Sequence, residues 1–278
     1  MMMQDKGLKR NQADKFYTKN EIVKICLDKV KEHIAIKEND CVIEPSAGSG
    51  SFSIPLSNMY KNVIPIDILP ENDDIRQQDF LEFDHTILQD FDSLHVIGNP
   101  PFGRQSSLAK KFIKKSAAFA NSISFILPKS FKKESFSSVF PLNFHMVECL
   151  DLPKNSFQIN GKDYDVPCVF QIWTKKTTKR EIKKIEKADF YEYVKKDDDP
   201  DVSIRRVGIN SGEISQEYQD KSIQSHYFLR LKTNIDSFIK IYKEHLNFKF
   251  DNTVGPRSIS KKELDEYICT IEKYMPNN

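Results

Sequence analysis

The 278 residues are 39% hydrophobic and 29% charged, a balance that supports a buried core and excludes an intrinsically disordered chain. A formal net charge of +2 gives no bulk attraction to polyanions, so any nucleic-acid surface must come from local clustering of basic residues. Five scattered cysteines without a CxxC pair exclude a disulfide framework and fit a reducing, cytoplasmic setting, and six histidines lack metal-ligand spacing. The first residues lack the apolar stretch of a signal peptide, and no run of about 18 apolar residues predicts a membrane span.

In chain order, residues 20–36 predict an amphipathic helix with Ile22, Ile25, Cys26, Val30 and Ile34 on one face and Asn20 as its cap. Short apolar runs follow, each closing on a polar or glycine-bearing turn. Cys41-Val42-Ile43 runs into Glu44-Pro45-Ser46-Ala47-Gly48-Ser49-Gly50, and Val63–Ile66 runs into Asp67. Asp79 follows a third, less marked strand. Leu94–Ile97 runs into Gly98-Asn99-Pro100-Pro101-Phe102, a helix is expected over 107–120, and Ile123–Leu127 is the next strand. Buried strands alternating with helices predict a mostly parallel, Rossmann-like α/β sheet covered on both faces. Met146–Leu150 and Val166–Trp173 read as strands around the turn Asn160-Gly161-Lys162, a hairpin that finishes the sheet with an antiparallel strand. The basic stretch 175–187 marks a boundary, giving domains 1–178 and 179–278. The second is a small α+β domain, with strands near 190–194, 202–207 and 225–232 and helices near 234–245 and 260–274.

In such sheets ligands sit at the carboxyl ends of the strands, where the unusual clusters of this chain fall. Gly48-Ser49-Gly50 is a turn that lets a ligand approach the backbone. Glu44, Asp67 and Asp79 end or follow successive strands. Three carboxylates suit a ligand rich in hydroxyls and amines and repel a phosphate, which argues against a nicotinamide dinucleotide or ATP. In Asn99-Pro100-Pro101-Phe102 the prolines rigidify the backbone, so the Asn side-chain carbonyl and the next backbone carbonyl can converge on one NH₂ group. Phe102 offers a flat face to a planar ring beside it.

With these motifs the chain resembles class I S-adenosylmethionine-dependent methyltransferases of the amino-methylating group, whose signature is (D/N/S)PP(Y/F). In motif order it resembles gamma-type N6-adenine DNA methyltransferases. Over about residues 14–174, Lys15-Phe16-Tyr17-Thr18 matches the first motif, Glu44–Phe52 the glycine motif, Asp67 and Asp79-Phe80 the following two, and Asn99–Phe102 the catalytic one. The resemblance implies S-adenosylmethionine as cofactor. Lys15, Phe16, Tyr17 and Thr18 would close over its methionine part, and Glu44, Ala47, Gly48 and Gly50 would line the pocket. Asp67 would take the ribose hydroxyls and Asp79 the adenine amino group, with Phe80 packing on that ring. Asn99, Pro100, Pro101 and Phe102 would hold the target base. Two departures are Lys19, where the family often has proline, which should loosen the loop, and Ser46, expected to be without consequence.

The resemblance therefore implies adenine N6 methylation of DNA, as in restriction-modification, with the base flipped out and residues beyond about 175 recognising the target. An RNA substrate (adenine N6 or guanine N2) is the first alternative. A protein glutamine is a weaker one, since those enzymes carry Tyr at the place of Phe102, and a non-catalytic nucleic-acid-binding subunit is another. Arg205, Arg206, Arg230 and Lys232 beside Tyr227 and Phe228 are the expected nucleic-acid surface of the second domain. Arg104, Lys110, Lys111, Lys114 and Lys115 could hold phosphates near the flipped base.

Overall fold

The computed structural model describes residues 16–181, 187–245 and 256–275. The chain divides into two compact units, Met1–Arg180 and Glu181–Asn278.

The first unit runs β1 (Tyr17–Thr18), α1 (Asn20–His33), β2 (Cys41–Glu44), α2 (Ser53–Met59), β3 (Val63–Asp67), β4 (Arg76–Gln77), β5 (Leu94–Gly98) and α3 (Ser107–Phe119). It continues with β6 (Ser122–Pro128), α4 (Glu134–Ser137), β7 (Phe144–Asp151), β8 (Phe157–Ile159), β9 (Lys162–Tyr164) and β10 (Cys168–Lys175). Seven strands form one sheet in the order β4-β3-β2-β5-β6-β10-β7. The first five are parallel, and β10 pairs antiparallel with both β6 and β7. This is the expected Rossmann-like sheet with an antiparallel edge hairpin.

Every residue of β2, β5 and β6 is buried, as strands covered on both faces require. On one face Ile123, Phe125 and Leu127 of β6 join a cluster with Phe112 and Ile113 of α3 and with Phe80, Phe83 and Phe131. The residues between them, Ser124 and Ile126, are buried as well. Helix α1 packs on β7 and β10 and buries Ile22, Val23, Cys26, Leu27 and Val30.

Three local expectations change. Helix α1 ends at His33, and Ile25 lies 40% exposed, because the buried stripe passes through Val23 and Leu27. Asn20 is the first helical residue and not the cap; the extended Lys19 holds that position with no side-chain cap bond. Its carbonyl instead accepts from the N–H groups of Ile22 and Val23. The turn Asn160-Gly161-Lys162 does not join the two edge strands directly. It closes a smaller hairpin, β8–β9, nested between them, and that hairpin forms a separate three-stranded sheet with β1.

The second unit holds β11 (Tyr191–Val194), β12 (Val202–Arg205), β13 (Ile214–Ser215), β14 (His226–Leu231), α5 (Ile235–Glu244) and α6 (Lys261–Glu272). Its antiparallel sheet, ordered β11-β14-β12-β13, packs Val202, Ile204 and Leu229 against Phe238 and Tyr242 of α5 and Leu264, Tyr267 and Ile268 of α6. Asn234 caps α5, and Ser260 with Glu263 forms a capping box at α6. Among the described residues no helix is long and apolar enough to cross a membrane.

At the amino-terminal edge of the parallel strands, His95 of β5 is buried between two partners. Its Nδ1 lies 2.7 Å from the Ser122 hydroxyl and its Nε2 lies 3.3 Å from Asp40 Oδ2. Asp40 Oδ2 also accepts from the Lys37 N–H, while its Oδ1 is buried without a partner. Burial holds the imidazole below its ordinary value, against the opposing pull of Asp40. The unfolded chain therefore binds a proton at His95 near pH 6.5 that the native state refuses, so this contribution to stability is lost as the pH falls through that range. His95→Leu leaves Asp40 without its side-chain donor and should cost about 2–3 kcal/mol in urea denaturation at pH 7.5. It should also remove part of the destabilisation seen between pH 7 and 6; an unchanged pH profile would refute the neutral, buried imidazole.

Candidate active site

Strand order reverses between β2 and β5. From β2 the chain moves outward to β3 and β4, then returns to β5 on the other side of β2. The carboxyl ends of these neighbours border the crevice in which such sheets bind ligands. Glu44, the last residue of β2, and Asn99, directly after β5, stand at that place.

The Glu44 carboxyl is 2% exposed. Ser53 bonds it through both hydroxyl and backbone, and the Phe52 backbone adds a third contact. Its Oε2 has no partner. Burial outweighs these donors, and the charge of Asp67 adds to it, so the Glu44 pKa is pushed up to about 8. Asn99 is fixed from two sides. Its Nδ2 donates to Thr18 Oγ1 at 3.2 Å, and its backbone carbonyl accepts from the Ser46 hydroxyl at 3.0 Å. Because Thr18 takes the NH₂ end of the amide, the oxygen end is left, and Asn99 Oδ1 is buried with no donor. Two buried polar atoms without partners, a carboxyl oxygen and an amide oxygen, thus stand where the strand order reverses, and the amide oxygen suits a ligand bearing N–H or O–H groups.

The glycine turn follows β2. Gly48 and Gly50 take φ of 56° and 98°, the left-handed region that favours glycine. A Cβ at Gly48 would meet nothing within 4 Å, so open space adjoins the turn. Asp67 at the end of β3 accepts from the N–H of Gly48 at 2.7 Å and of Leu69 at 2.8 Å, tying the two strand-end loops together. The buried Ala47 donates its N–H to the Ile66 carbonyl. Tyr17 of β1 donates to Glu71 Oε1 at 2.6 Å, and the Glu71 N–H bonds the Gly48 carbonyl. Burial, reinforced by Glu71 and Asp67, pushes the Tyr17 hydroxyl up to about 12.

Asp79 caps the 3₁₀ turn Phe80–Glu82 by accepting from the Leu81 N–H at 2.8 Å. Phe80 is 2% exposed, its ring against Phe83 and Phe112, so it belongs to the core beneath the strand ends. Past Asn99, Pro100 is buried and Phe102 half-buried, packed on the core. The Phe102 carbonyl accepts from the N–H groups of Leu108 and Ala109 and so anchors the tetrapeptide to α3. Between them Gly103, Gln105 and Ser106 have φ of 68°, 52° and 60°. A Cβ at Gly103 would come within 2.9 Å of Leu108 Cβ, and each of the two non-glycine residues costs about 1 kcal/mol or more. Of the basic residues on α3, Lys110 lies over the Phe136 ring at 4.4 Å.

Phe16 lies beside Tyr164 of β9, at the start of the stitched segment. Lys15 lies outside the described residues. Lys19, expected to loosen this loop, secures it: its N–H bonds the Ser156 carbonyl and its ammonium pairs with Asp163 at 2.7 Å. Three further contributors escape a linear reading. Ser46 proves to hold the Asn99 backbone, Ser53 serves Glu44, and Glu71 holds Tyr17. Ser46 and Ser53 sit in or next to the glycine motif, where their position was the available signal; Glu71 lies in a polar loop with none.

The raised Glu44 pKa carries a sign. Between its unfolded range near 4.5 and about 8 the native state keeps a proton that the unfolded chain has released, so stability is lost as the pH rises through that window. Glu44→Gln preserves the shape without the titration. It should melt close to wild type at pH 5 and above it at pH 8.5; parallel melting curves across that range would show that the carboxyl is ionised in the fold.

No protein-family model matches the chain, and no curated protein matches it in sequence. Solved structures similar to it include a protein provisionally assigned as an RNA methyltransferase from Pyrococcus horikoshii, at 17% identity and a TM-score of 0.46 over 62% of this chain and 93% of that one. A SAM-dependent methyltransferase from Anabaena variabilis aligns at 10% identity and 0.42, over 60% and 89% of the two chains. TrmN from Thermus thermophilus aligns at 14% and 0.38, over 55% and 48%. The strand order and pairing of this chain carry the fold assignment by themselves.

Proposed function

We propose that this protein is an S-adenosylmethionine-dependent methyltransferase that modifies the exocyclic amino group of a nucleic-acid base, with N6 of adenine in DNA the first candidate. One observation carries the reading: Glu44 Oε2 and Asn99 Oδ1, two buried polar atoms without partners, stand at the β2–β5 reversal.

The residues fit the cofactor. It presents an ammonium, ribose hydroxyls and an adenine amino group, all donors, and Glu44, Asp67 and Asp79 would receive them. Open space beside Gly48 leaves room for a ligand against the backbone. Tyr17 and Thr18, with Lys15 and Phe16, would cover the methionine part, Ala47, Gly48 and Gly50 line it, and Phe80 support the adenine ring from below. When bound, this group supplies an electrophilic methyl on a sulfonium.

The protein's own part is positioning and electrostatics. Asn99 Oδ1, oriented by Thr18, and the Pro100 carbonyl accept the two amino protons of the target. That favours a pyramidal nitrogen with a localised lone pair, which the flat ring otherwise delocalises. Pro101 stiffens the turn and Phe102 stacks on the base. A base in a duplex reaches such a pocket only by flipping out. The first unit would carry this chemistry and the second would recognise the nucleic acid.

The test separates catalysis from binding. Calorimetry should give the same cofactor affinity for Asn99→Ala as for wild type, while methyl transfer falls by on the order of a hundredfold. Phe102→Ala should lose stacking of about 1–3 kcal/mol, and Phe102→Tyr should retain much of the activity. Labelled methyl transfer to DNA, RNA and protein side by side, followed by nucleoside analysis, assigns the substrate. Normal turnover by Asn99→Ala, or no binding of the cofactor to folded protein, would sink the reading.

A further inference from the structure

Several cations of the second unit are held in one of two ways. Arg230 is matched to Glu192 at 3.3 Å and to the Asp198 carbonyl, and Lys240 pairs with Glu244 at 4.0 Å. Lys187, Arg206 and Lys261 instead lie over tyrosine rings. Lys187 Nζ is 4.8 Å from the centroid of Tyr191 and 5.2 Å from that of Tyr193. Lys261 Nζ is 4.4 Å from Tyr193, and the Arg206 guanidinium is 5.3 Å from Tyr227. A carboxylate cancels a cation's charge, whereas a ring orders the long side chain and leaves the charge in place.

The rings form a row, edge to face, with Tyr191 5.9 Å and Tyr227 5.7 Å from Tyr193. Their hydroxyls are already engaged. Those of Tyr191 and Tyr193 reach Asp265 Oδ1, and that of Tyr227 reaches the Ile259 carbonyl. The nearby carboxylates are engaged as well, Asp265 by the two tyrosines and Glu263 by the capping box of α6. The segment before α6 pairs with the chain after β12, through Ile259 N–H to the Arg206 carbonyl and Gly208 N–H to the Arg257 carbonyl, and so brings the exposed Arg257 alongside. Arg206 Nε is buried without an acceptor.

We propose that Lys187, Arg206 and Lys261, carried on Tyr191, Tyr193 and Tyr227, form the surface that grips the phosphate backbone of the nucleic acid. This rests on the reading of the substrate given above. A row of cations ordered on rings matches a polymer with repeated phosphates. With the hydroxyls engaged and the ring faces under cations, little is left to read base edges, so the grip is insensitive to sequence. It also narrows the expected surface: Phe228 is buried, Arg230 is paired and Arg205 Nε bonds the Val207 carbonyl, while Arg206 and Tyr227 stand in the row.

The test uses the full chain and fluorescence anisotropy with labelled 30-nucleotide DNA and RNA, single-stranded and duplex, across a salt series. The double variant Lys187→Glu, Lys261→Glu should bind at least tenfold more weakly on every sequence tried. Its log–log salt slope should be shallower by about two phosphate contacts, each near 0.9. Lys187→Arg, Lys261→Arg should bind as wild type, and Arg230→Ala should change affinity less than twofold. Cofactor affinity, measured alongside, should be equal in all of them. If the double variant keeps wild-type affinity and slope while wild type methylates nucleic acid, the surface is wrong and the proposed function stands. If wild type binds neither DNA nor RNA at low salt and methylates another substrate, the functional reading fails and takes the surface with it.

Discussion

The site depends on how closely β2 and β5 can approach at their carboxyl ends. A Cβ at Gly98 would lie 3.2 Å from Glu44 Cγ and 3.5 Å from Pro45 Cδ, so even a methyl at the last position of β5 would ask the Glu44 side chain to give by a few tenths of an ångström. The two strands pair through Ile43 and Val96, and bare backbone at Gly98 leaves the Glu44 side chain its place beside β5. The loops that follow are tied as well, by the Ser46 hydroxyl donating to the Asn99 carbonyl. Each strand by itself would carry a buried polar residue without purpose.

The same sheet handles polar burial differently at its two edges. At the amino-terminal edge both nitrogens of His95 are engaged, by Asp40 and Ser122, and the result is a tie across three strands. At the carboxyl edge Glu44 and Asn99 are each held by one end and left open at the other. An unsatisfied buried acceptor costs about 1–3 kcal/mol, so these two weaken the fold as it stands. The aromatic cluster of Phe80, Phe83, Phe112, Phe125 and Phe131 beneath them offsets that cost. An open acceptor held rigidly over such a floor needs little reorganisation to receive a donor.

Much of this was legible because it is local. Runs such as Cys41–Ile43 and Ile123–Leu127 announce buried strands, and the polar and glycine-bearing residues that follow β2, β3 and β5 mark the strand ends before any pairing is known. Elements defined by contacts distant in sequence were not legible. Nothing around Asn160-Gly161-Lys162 signals that its hairpin recruits Tyr17 and Thr18 as a third strand, since two-residue pairings carry no periodicity. Ser46 looked inert because its partner, the Asn99 carbonyl, is remote in sequence and invisible to pattern. In the second unit, aromatic and basic residues side by side in the chain suggested one surface, but successive residues of a strand face opposite ways. Tyr227 and Phe228 therefore went to different sides of the sheet, as did Leu229 and Arg230.

The pairing of Tyr17 with Gln158 and Thr18 with Phe157 has a bearing on assembly. The segment that steadies the Asn99 amide is among the first of the described residues to leave the ribosome, yet its partner strand lies roughly 140 residues later, a closure whose entropy must be met before the contact repays it. The parallel pairs close shorter spans, from Ile66–Arg76 to Cys41–Leu94. The Thr18–Asn99 bond, though shorter in span, has no backing until β8 and β9 arrive. The support that β1 gives the Asn99 amide is thus completed late in synthesis, once β8 and β9 are in place.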